Sequence, residues 1–417
     1  MQLKTILNRV QKFKRFTFGK VTWRENMSEP ALQVSVHPRR NSMAECSMCR
    51  RDCSGYDTQP ERHYEFVPMW GIKVYLAYSP RRVSCPDCGV RVEYVPWSTG
   101  KSRLTKAYAW HFSSWAKRMS WKEVAEVFHT TWHHVFVSVE MAVKWGLKNR
   151  DISGVKAIGI DEIQWRDGHK YLTLVYQIDS NNKRLLWIGK ERKEKTLQRF
   201  FDWFGKDRAA RLRYVCSDMW KPYLNVIRAN AGEAIHILDR FHIMANINKA
   251  IDKVRAGEAR KMKTDGYDPV LKNSRWVLLK RPENLTDKQS IKLRDLLQYN
   301  LRSVRSYLLK EEFQQLWNYT SPYWAGRFLD SWCTKTMRSK IDPMKKIARQ
   351  MRKHRPLIMN WFEAKGQFSS GIVEGFNNKA KLTMRRSYGF KTFKSIEIAL
   401  YHAIGDLPVP QNTHRFF

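Results

Sequence analysis

Val155-Lys-Ala-Ile-Gly-Ile160-Asp161-Glu162, Lys170-Tyr-Leu-Thr-Leu-Val-Tyr-Gln-Ile178 and Lys183–Ile188 decide the fold. Each run is rich in aliphatic, β-branched or aromatic residues. Turn-formers separate them, Arg166-Asp-Gly-His169 and then Asp179-Ser-Asn-Asn182. Short apolar runs joined this way predict an antiparallel meander of three strands over 155–188. The period then changes. Leu197, Phe200, Phe201 and Phe204 fall on one helical face of Lys195–Phe204. Leu212–Cys216 predicts a fourth strand ending in Ser217-Asp218. Ala234–Leu238 predicts a fifth ending in Asp239, with a long basic helix from about Arg240. Three antiparallel strands, a helix, a strand, a helix and a strand make an α/β unit of RNase H-like order. In that order the ends of the first and fourth strands are neighbours.

Asp161 and Asp218 occupy those ends. Two carboxylates held together at a sheet edge repel unless a cation neutralises them. Mg2+, or Mn2+, is the hard cation that takes carboxylate oxygen and keeps positions for phosphate. The plainer reading of either Asp alone is a turn residue. A third ligand is expected from a helix packed on the sheet. Ser369-Ser-Gly-Ile-Val-Glu374-Gly-Phe-Asn-Asn-Lys-Ala-Lys-Leu-Thr-Met-Arg-Arg386 supplies one. Glu374 lies in its first turn, and positions 374, 378, 381 and 385 share a face carrying Glu, Asn, Lys and Arg. The face through Val373, Phe376, Ala380 and Met384 can pack on the sheet. A salt-bridged structural Glu is the alternative.

The front of the chain carries different chemistry. Four of the seven cysteines form two C-x-x-C pairs, Cys46/Cys49 and Cys85/Cys88. Two such knuckles complete a tetrahedral four-sulfur site for structural Zn2+. The strand-like runs Tyr64–Pro68 and Ile72–Tyr78 predict a β-hairpin between them. Cys53 stays open as a substitute ligand, and four unlinked thiols are the plain alternative. Further on, Ser120 and Glu123 form a capping box that opens a helix. A break at His129–Thr131 precedes a second helix, with Val135, Val139 and Val143 at spacing four. Two short helices with a tight turn suit a helix-turn-helix, although any helical hairpin looks the same. His133 and His134 read as exposed positions of the second helix, not ligands.

The chain has 417 residues, with 76 Lys and Arg against 39 Asp and Glu, a net charge of +37. The excess is spread. Residues 1–150 carry 25 basic and 12 acidic groups, 151–250 carry 18 and 12, and 251–417 carry 33 and 15. Such a chain repels itself unless a polyanion compensates, and nucleic acid is the obvious one. At 43% hydrophobic residues it is too apolar for a disordered tail. No run approaches the ~20 apolar residues of a membrane span, and the basic N-terminus lacks the apolar centre of a signal peptide. An odd cysteine count argues against a disulfide framework. The expectation is a soluble, intracellular protein.

Several of these segments resemble a known family, the DDE transposases of bacterial insertion sequences, of the type called ISL-three. The matching stretches are Gly159-Ile-Asp161-Glu, Val215-Cys-Ser-Asp218-Met-Trp-Lys-Pro-Tyr223, Leu238-Asp239-Arg-Phe-His242 and Ser370-Gly-Ile-Val-Glu374-Gly-Phe-Asn-Asn378, then Lys381 and Arg385-Arg-Ser-Tyr388-Gly-Phe. The resemblance runs over nearly the whole length. It implies Asp161, Asp218 and Glu374 as a catalytic triad holding two Mg2+ or Mn2+ ions, with Lys381, Arg385 and Arg386 on DNA phosphates. It assigns no role to Asp239 or His242. It implies a zinc-binding segment over 1–100, a helix-turn-helix DNA-binding region over 101–150, and an RNase H-like catalytic core over 151–245. A large helical insertion over 246–365 and the rest of the core with the Glu helix over 366–417 follow. The partners implied are double-stranded DNA, as element ends and as target, and a second copy of the chain, because two ends must be joined. The place implied is the bacterial cytoplasm, at the nucleoid. The competing readings are a DNA-binding regulator that has lost catalysis and an RNase H-like ribonuclease.

Overall fold

In a computed structural model the meander forms as the alternation predicts. The structure describes residues 2–25, 30–267, 270–365, 371–387 and 389–410. The chain divides into two compact units. One is built on residues up to Arg150 with Lys394–Ala403 and the segment from Leu407; the other is built on Asp151–Phe393 with Ile404–Asp406.

The first unit opens with α1 (Leu3–Val10) and holds two four-stranded sheets. Its strands are β1 (Phe16–Arg24), β2 (Ala31–Pro38), β3 (Ala44–Glu45), β4 (Asp52–Thr58), β5 (Arg62–Met69), β6 (Ile72–Tyr78), β7 (Arg81–Cys85) and β8 (Gly89–Val92). One sheet has the order β1-β2-β6-β5 and closes on Phe16, Phe18, Val34, Val74, Leu76 and Trp97. The predicted hairpin is its β5–β6 pair. The other sheet, β3-β4-β7-β8, carries the cysteines. Helices α2 (Lys106–Trp115), α3 (Trp121–Val127) and α4 (Trp132–Asn149) follow. The capping box at Ser120 and Glu123 is formed in both directions. His129 takes a positive φ in the turn, and Thr131 caps α4. Val135, Val139 and Val143 are buried on α4, while His133 and His134 are exposed.

The second unit holds β9 (Ala157–Arg166), β10 (Lys170–Asp179), β11 (Asn182–Lys190), β12 (Tyr214–Ser217) and β13 (Ile235–Leu238), in the order β11-β10-β9-β12-β13. The first three run antiparallel; β12 and β13 run parallel to β9. Between them lie α5 (Glu194–Phe204), α6 (Lys206–Ala209) and α7 (Lys221–Asn230). One face of β9, through Ile158 and Ile160, packs with Leu197, Phe200, Phe204, Tyr223 and Ile227. Period-two alternation turns Gly159 and Asp161 to the opposite face. Seven consecutive residues of β10, Leu172–Ile178, are buried, as in a strand covered on both sides.

One strand boundary differs from the sequence reading. β9 does not stop before Asp161 but runs through Asp161 and Glu162 to Arg166. The reason is one-sided pairing. β10 supplies partners for the whole stretch, Asp161 to Leu174 and Ile163 to Leu172, whereas β12 pairs only with Ala157–Gly159. Asp161 therefore has a strand on one side and an open edge on the other.

After β13 the chain is helical: α8 (Arg240–Thr264), α9 (Arg275–Leu279), α10 (Asp287–Leu297), α11 (Arg302–Gln314), α12 (Pro322–Arg338), α13 (Asp342–Lys353) and α14 (Arg355–Glu363). Their core gathers Ile247, Ile251, Phe313, Trp332 and Met344. Trp332 is buried and donates its indole N–H to the Leu309 carbonyl, whereas Trp276 and Trp324 are exposed. Then come α15 (Gly371–Arg386) and α16 (Phe393–Ile404). Helix α15 lies on β9 and β10 through the predicted stripe: Val373, Phe376 and Ala380 are buried and Met384 is half-buried. Phe376 stacks on Tyr176 at 4.9 Å. A Cβ on Gly159 would stand 2.5 Å from Val373, so the glycine sets how closely helix and strand approach. No helix among the described residues is long and apolar enough to cross a membrane.

Candidate active site

The sheet register builds this site. β12 and β9 are paired in parallel with Cys216 opposite Gly159. Two residues further, Asp218 comes level with Asp161. β12 and β13 are paired with Ser217 opposite Leu238, so one residue further Asp239 comes level with Asp218. The Asp239 N–H donates to the Ser217 carbonyl at 2.8 Å and fixes that step. Three aspartates thus stand side by side where the parallel strands end, the place where open α/β sheets bind ligands.

Each is held by donors. Asp161, 9% exposed, accepts the Glu162 N–H at 2.7 Å on one oxygen and the Asn377 amide on the other. Asn377 comes from α15 and is oriented by Tyr176, whose hydroxyl donates to its Oδ1 at 2.9 Å. Asp218, 8% exposed, accepts the Trp220 N–H at 3.0 Å and Arg192 Nη2 at 2.9 Å. Arg192 also lies 2.6 Å from Glu162 and stacks over the Trp220 ring at 4.5 Å. Asp239 caps α8 by accepting the Phe241 N–H at 2.7 Å. One turn on, His242 Nε2 stands 3.6 Å from Asp161 and 3.8 Å from Asp239. One donor atom each from Asp161, Asp239 and His242 lies within 4.8 Å of the others.

Crowding shows in the proton affinities. Burial and the Asp218 charge push Glu162 up to about 8, against the pull of Arg192. Burial raises Asp218 as well. The Asp161 carboxylate 3.6 Å away raises His242 to about 9, against burial. In the metal-free protein, then, Arg192 and protonated His242 neutralise the carboxylates from two sides. A buried set of oxygens with one imidazole suits a hard divalent cation such as Mg2+ or Mn2+. The sign of the pH effect follows. A folded-state carboxyl or imidazole pKa raised above its unfolded value contributes stability that is lost as pH rises through it. Metal binding needs those protons gone. The rise in melting temperature on adding Mn2+ should therefore grow between about pH 6 and pH 9. Thermal melts with and without Mn2+ across that window check it, and a shift that shrinks with pH would contradict it.

The sequence-predicted residues fall as follows. Asp161 and Asp218 are brought to one level. Glu374 is exposed in the first turn of α15, three residues before Asn377, so its Cα lies one turn from the side chain that touches Asp161. It is not among the donor atoms that meet. Lys381, Arg385 and Arg386 are exposed further along α15, with 374, 378, 381 and 385 on one solvent-facing side. Ser369, Ser370 and Tyr388 lie outside the described residues. In the first unit Cys46, Cys49, Cys85 and Cys88 bring their sulfurs within 4.8 Å of one another, with Cys49 and Cys85 at 3.5 Å. Cys53 is buried outside that group, its sulfur toward the Arg51 carbonyl. Sequence reasoning passed over Arg192, Glu162 and Asn377. The Asp161-Glu162 doublet and an Asn one turn after Glu374 were the available signals; nothing local singles out Arg192.

A family profile described as transposase, the DDE type named ISL-three, matches residues 158–400. The chain belongs to this family. The matched span contains all three aspartates, His242 and Glu374. The chain is also similar to the transposase for insertion sequence element IS1001 of Bordetella parapertussis, 28% identical over 375 residues, which covers 89% of this chain and 91% of that one. It is 29% identical over 407 residues to the transposase for insertion sequence element IS1557 of Mycobacterium tuberculosis, strain CDC 1551 / Oshkosh, covering 91% and 90%. Both alignments extend well beyond the profile match, so the likeness takes in most of the first unit too.

Proposed function

We propose that this transposase binds the ends of an insertion sequence and catalyses metal-dependent DNA cleavage and strand transfer through Asp161, Asp218 and Glu374. The observation that carries the reading is the register that sets Asp218 beside Asp161, within a span matched by a transposase family. The sheet order of three antiparallel strands followed by two parallel ones supports an RNase H-like core over 151–245, on which α15 of the segment 366–417 packs; 246–365 would be a helical insertion, and Lys394–Ala403 groups with the first unit. Asp161, Asp218 and Glu374 would hold the divalent ions, and Asp239 and His242 stand beside Asp161. Two such ions would supply activation of water, or later of a DNA 3′-hydroxyl, and stabilisation of the leaving oxygen. Asn377 orients Asp161, and Lys381, Arg385 and Arg386 neutralise phosphates along the same helix. No covalent enzyme–DNA intermediate is required, so no Ser or Tyr nucleophile is assigned. The cysteine group at 46, 49, 85 and 88 would hold one structural Zn2+ in the segment 1–100. The capped pair α3–α4 would serve as a helix-turn-helix in the segment 101–150. A dimer or larger assembly would join the two ends.

The direct test is Mg2+- or Mn2+-dependent cutting of the element's own ends beside an RNA–DNA hybrid. Cutting of the hybrid alone would favour a ribonuclease, and binding without any cutting would favour a regulator. The charge makes a second expectation. With ~6–10 phosphate contacts, log K against log salt should have a slope of roughly −5 to −9. Titrations at several salt concentrations measure it, and an affinity almost independent of salt would contradict a basic DNA surface.

A further inference from the structure

The β5–β6 hairpin ends in a feature that neither the fold nor the acidic cluster uses. Met69 pairs with Ile72, leaving Trp70 and Gly71 as a two-residue loop. Both have positive φ, 50° and 78°. That is the type I′ hairpin, which favours Asn-Gly because both central residues must be left-handed. A bulky aromatic in that position is an outlier. Here the outlier is also 89% exposed, so packing does not explain it. Strained conformations of this kind concentrate at functional sites.

The register brings more to the same end of the sheet. β6 begins beside β2 with Lys73 opposite Ala31, and Ala31 in turn faces Arg24 at the end of β1. Trp23, 57% exposed, stands one residue before Arg24, two strands from β6 and on the opposite face of the sheet. Arg24 stacks over the Tyr75 ring at 5.5 Å. Further along the strands, burial first and then Arg24 pull the His63 pKa down, against Glu61, with which His63 is ion-paired at 3.2 Å. Glu65 beside Lys73 and the exposed Glu25 after Arg24 are acidic groups near the same edge.

We infer that this end of the sheet is a DNA contact in which Trp70 stacks on or wedges between nucleobases while Arg24 and Lys73 meet the flanking phosphates. The inference rests on the DNA-binding reading above and adds a surface to it. Aromatic rings interleaved with cations are what unstacked bases and their backbone require. The chain's charge of +37 selects DNA over a second equally basic copy as the occupant.

The test uses the full-length chain and three variants, Trp70→Asn, Trp70→Ala and Trp70→Phe, with element-end duplex DNA. Trp70→Asn places the favoured residue in the turn, so its melting temperature should equal or exceed the parent's. Its DNA dissociation constant should rise roughly tenfold or more, and Trp70→Ala should weaken binding as much. Trp70→Phe keeps a ring and should stay within about threefold of the parent. A Trp70→Asn chain that binds DNA like the parent overturns the inference, including the case where it loses self-association instead. So does a Phe variant as weak as the Asn one. A melting temperature that drops with Asn would show the ring to be structural and overturn it too. A parent that binds no duplex DNA overturns both this inference and the proposed function, whereas a parent that binds while Asn is silent leaves the proposed function standing.

Discussion

Asp161→Asn should leave the chain folded and bound to DNA but unable to cut it. Asp161 is the residue on which the site converges: Asn377 from α15, His242 from α8 and the Glu162 N–H all meet its carboxylate. Asparagine keeps the size and one acceptor oxygen. It removes the anionic oxygen that a hard cation needs. It also relieves repulsion among Asp161, Glu162 and Asp218, which offsets the lost ion pair with His242 and keeps the melting temperature close to the parent's. Mg2+-dependent cleavage of element ends should fall by roughly 10³-fold or more, the scale seen when one member of a cooperating set is removed. Asp218→Asn should behave alike. Glu374→Gln and Asp239→Asn are the informative pair, because Asp239 stands level with Asp218 while Glu374 approaches from the exposed turn of α15. If Glu374 is the third ligand, its variant should match Asp161→Asn in cleavage, and Asp239→Asn should cut more than either. Cleavage and binding of the same DNA, measured side by side for the four variants, decide it. Cleavage by Asp161→Asn within about tenfold of the parent would remove the triad.

How much of this was legible in the sequence follows from how local each signal was. The meander, α5 and the buried stripe of α15 were readable because their periodicity lies within single segments: Leu197, Phe200, Phe201 and Phe204 are all buried, as their spacing required. The Ser120–Glu123 box was readable because both partners sit three residues apart. The extent of β9 was not. It depends on β10 running longer than β12, a difference between strands that nothing at Asp161 encodes. The sheet of β1, β2, β6 and β5 escaped for the same reason. β2 pairs in parallel with β6 some forty residues on, which turns an isolated hairpin into the edge of a larger sheet. Arg192 is the sharpest case. It lies in the turn after β11 and looks like one more basic residue, and only the folded sheet carries it between Glu162 and Asp218.

Removing one cysteine of the group should take apart β3, β4, β7 and β8 while sparing the neighbouring sheet. The two sheets differ in what holds them. The β1-β2-β6-β5 sheet closes on about a dozen large apolar side chains. The cysteine sheet has Ala44, Val83 and the cysteines themselves as its core. With so little apolar area to order four short strands, a metal held by the four sulfurs would supply much of the rest, as in small zinc domains. Burial opposes ionisation of Cys85, but the backbone N–H groups of Cys88 and Asp87 bring its thiol down to about 6. Burial and the crowding sulfurs push Cys88 the other way, to about 12. The backbone donors at Cys85 favour its thiolate, the form in which it would bind a cation. Purified protein should carry about one Zn2+ per chain. Cys49→Ser or Cys85→Ser should lose it, and amide exchange should quicken across residues 44–58 and 81–92. Cys53→Ser should keep the metal, because that thiol stands outside the group. Exchange in β1, β2, β5 and β6 should change little. A folded, active chain free of zinc would refute the metal centre. A Cys85→Ser chain with unchanged exchange in 44–58 would show that those strands hold without it.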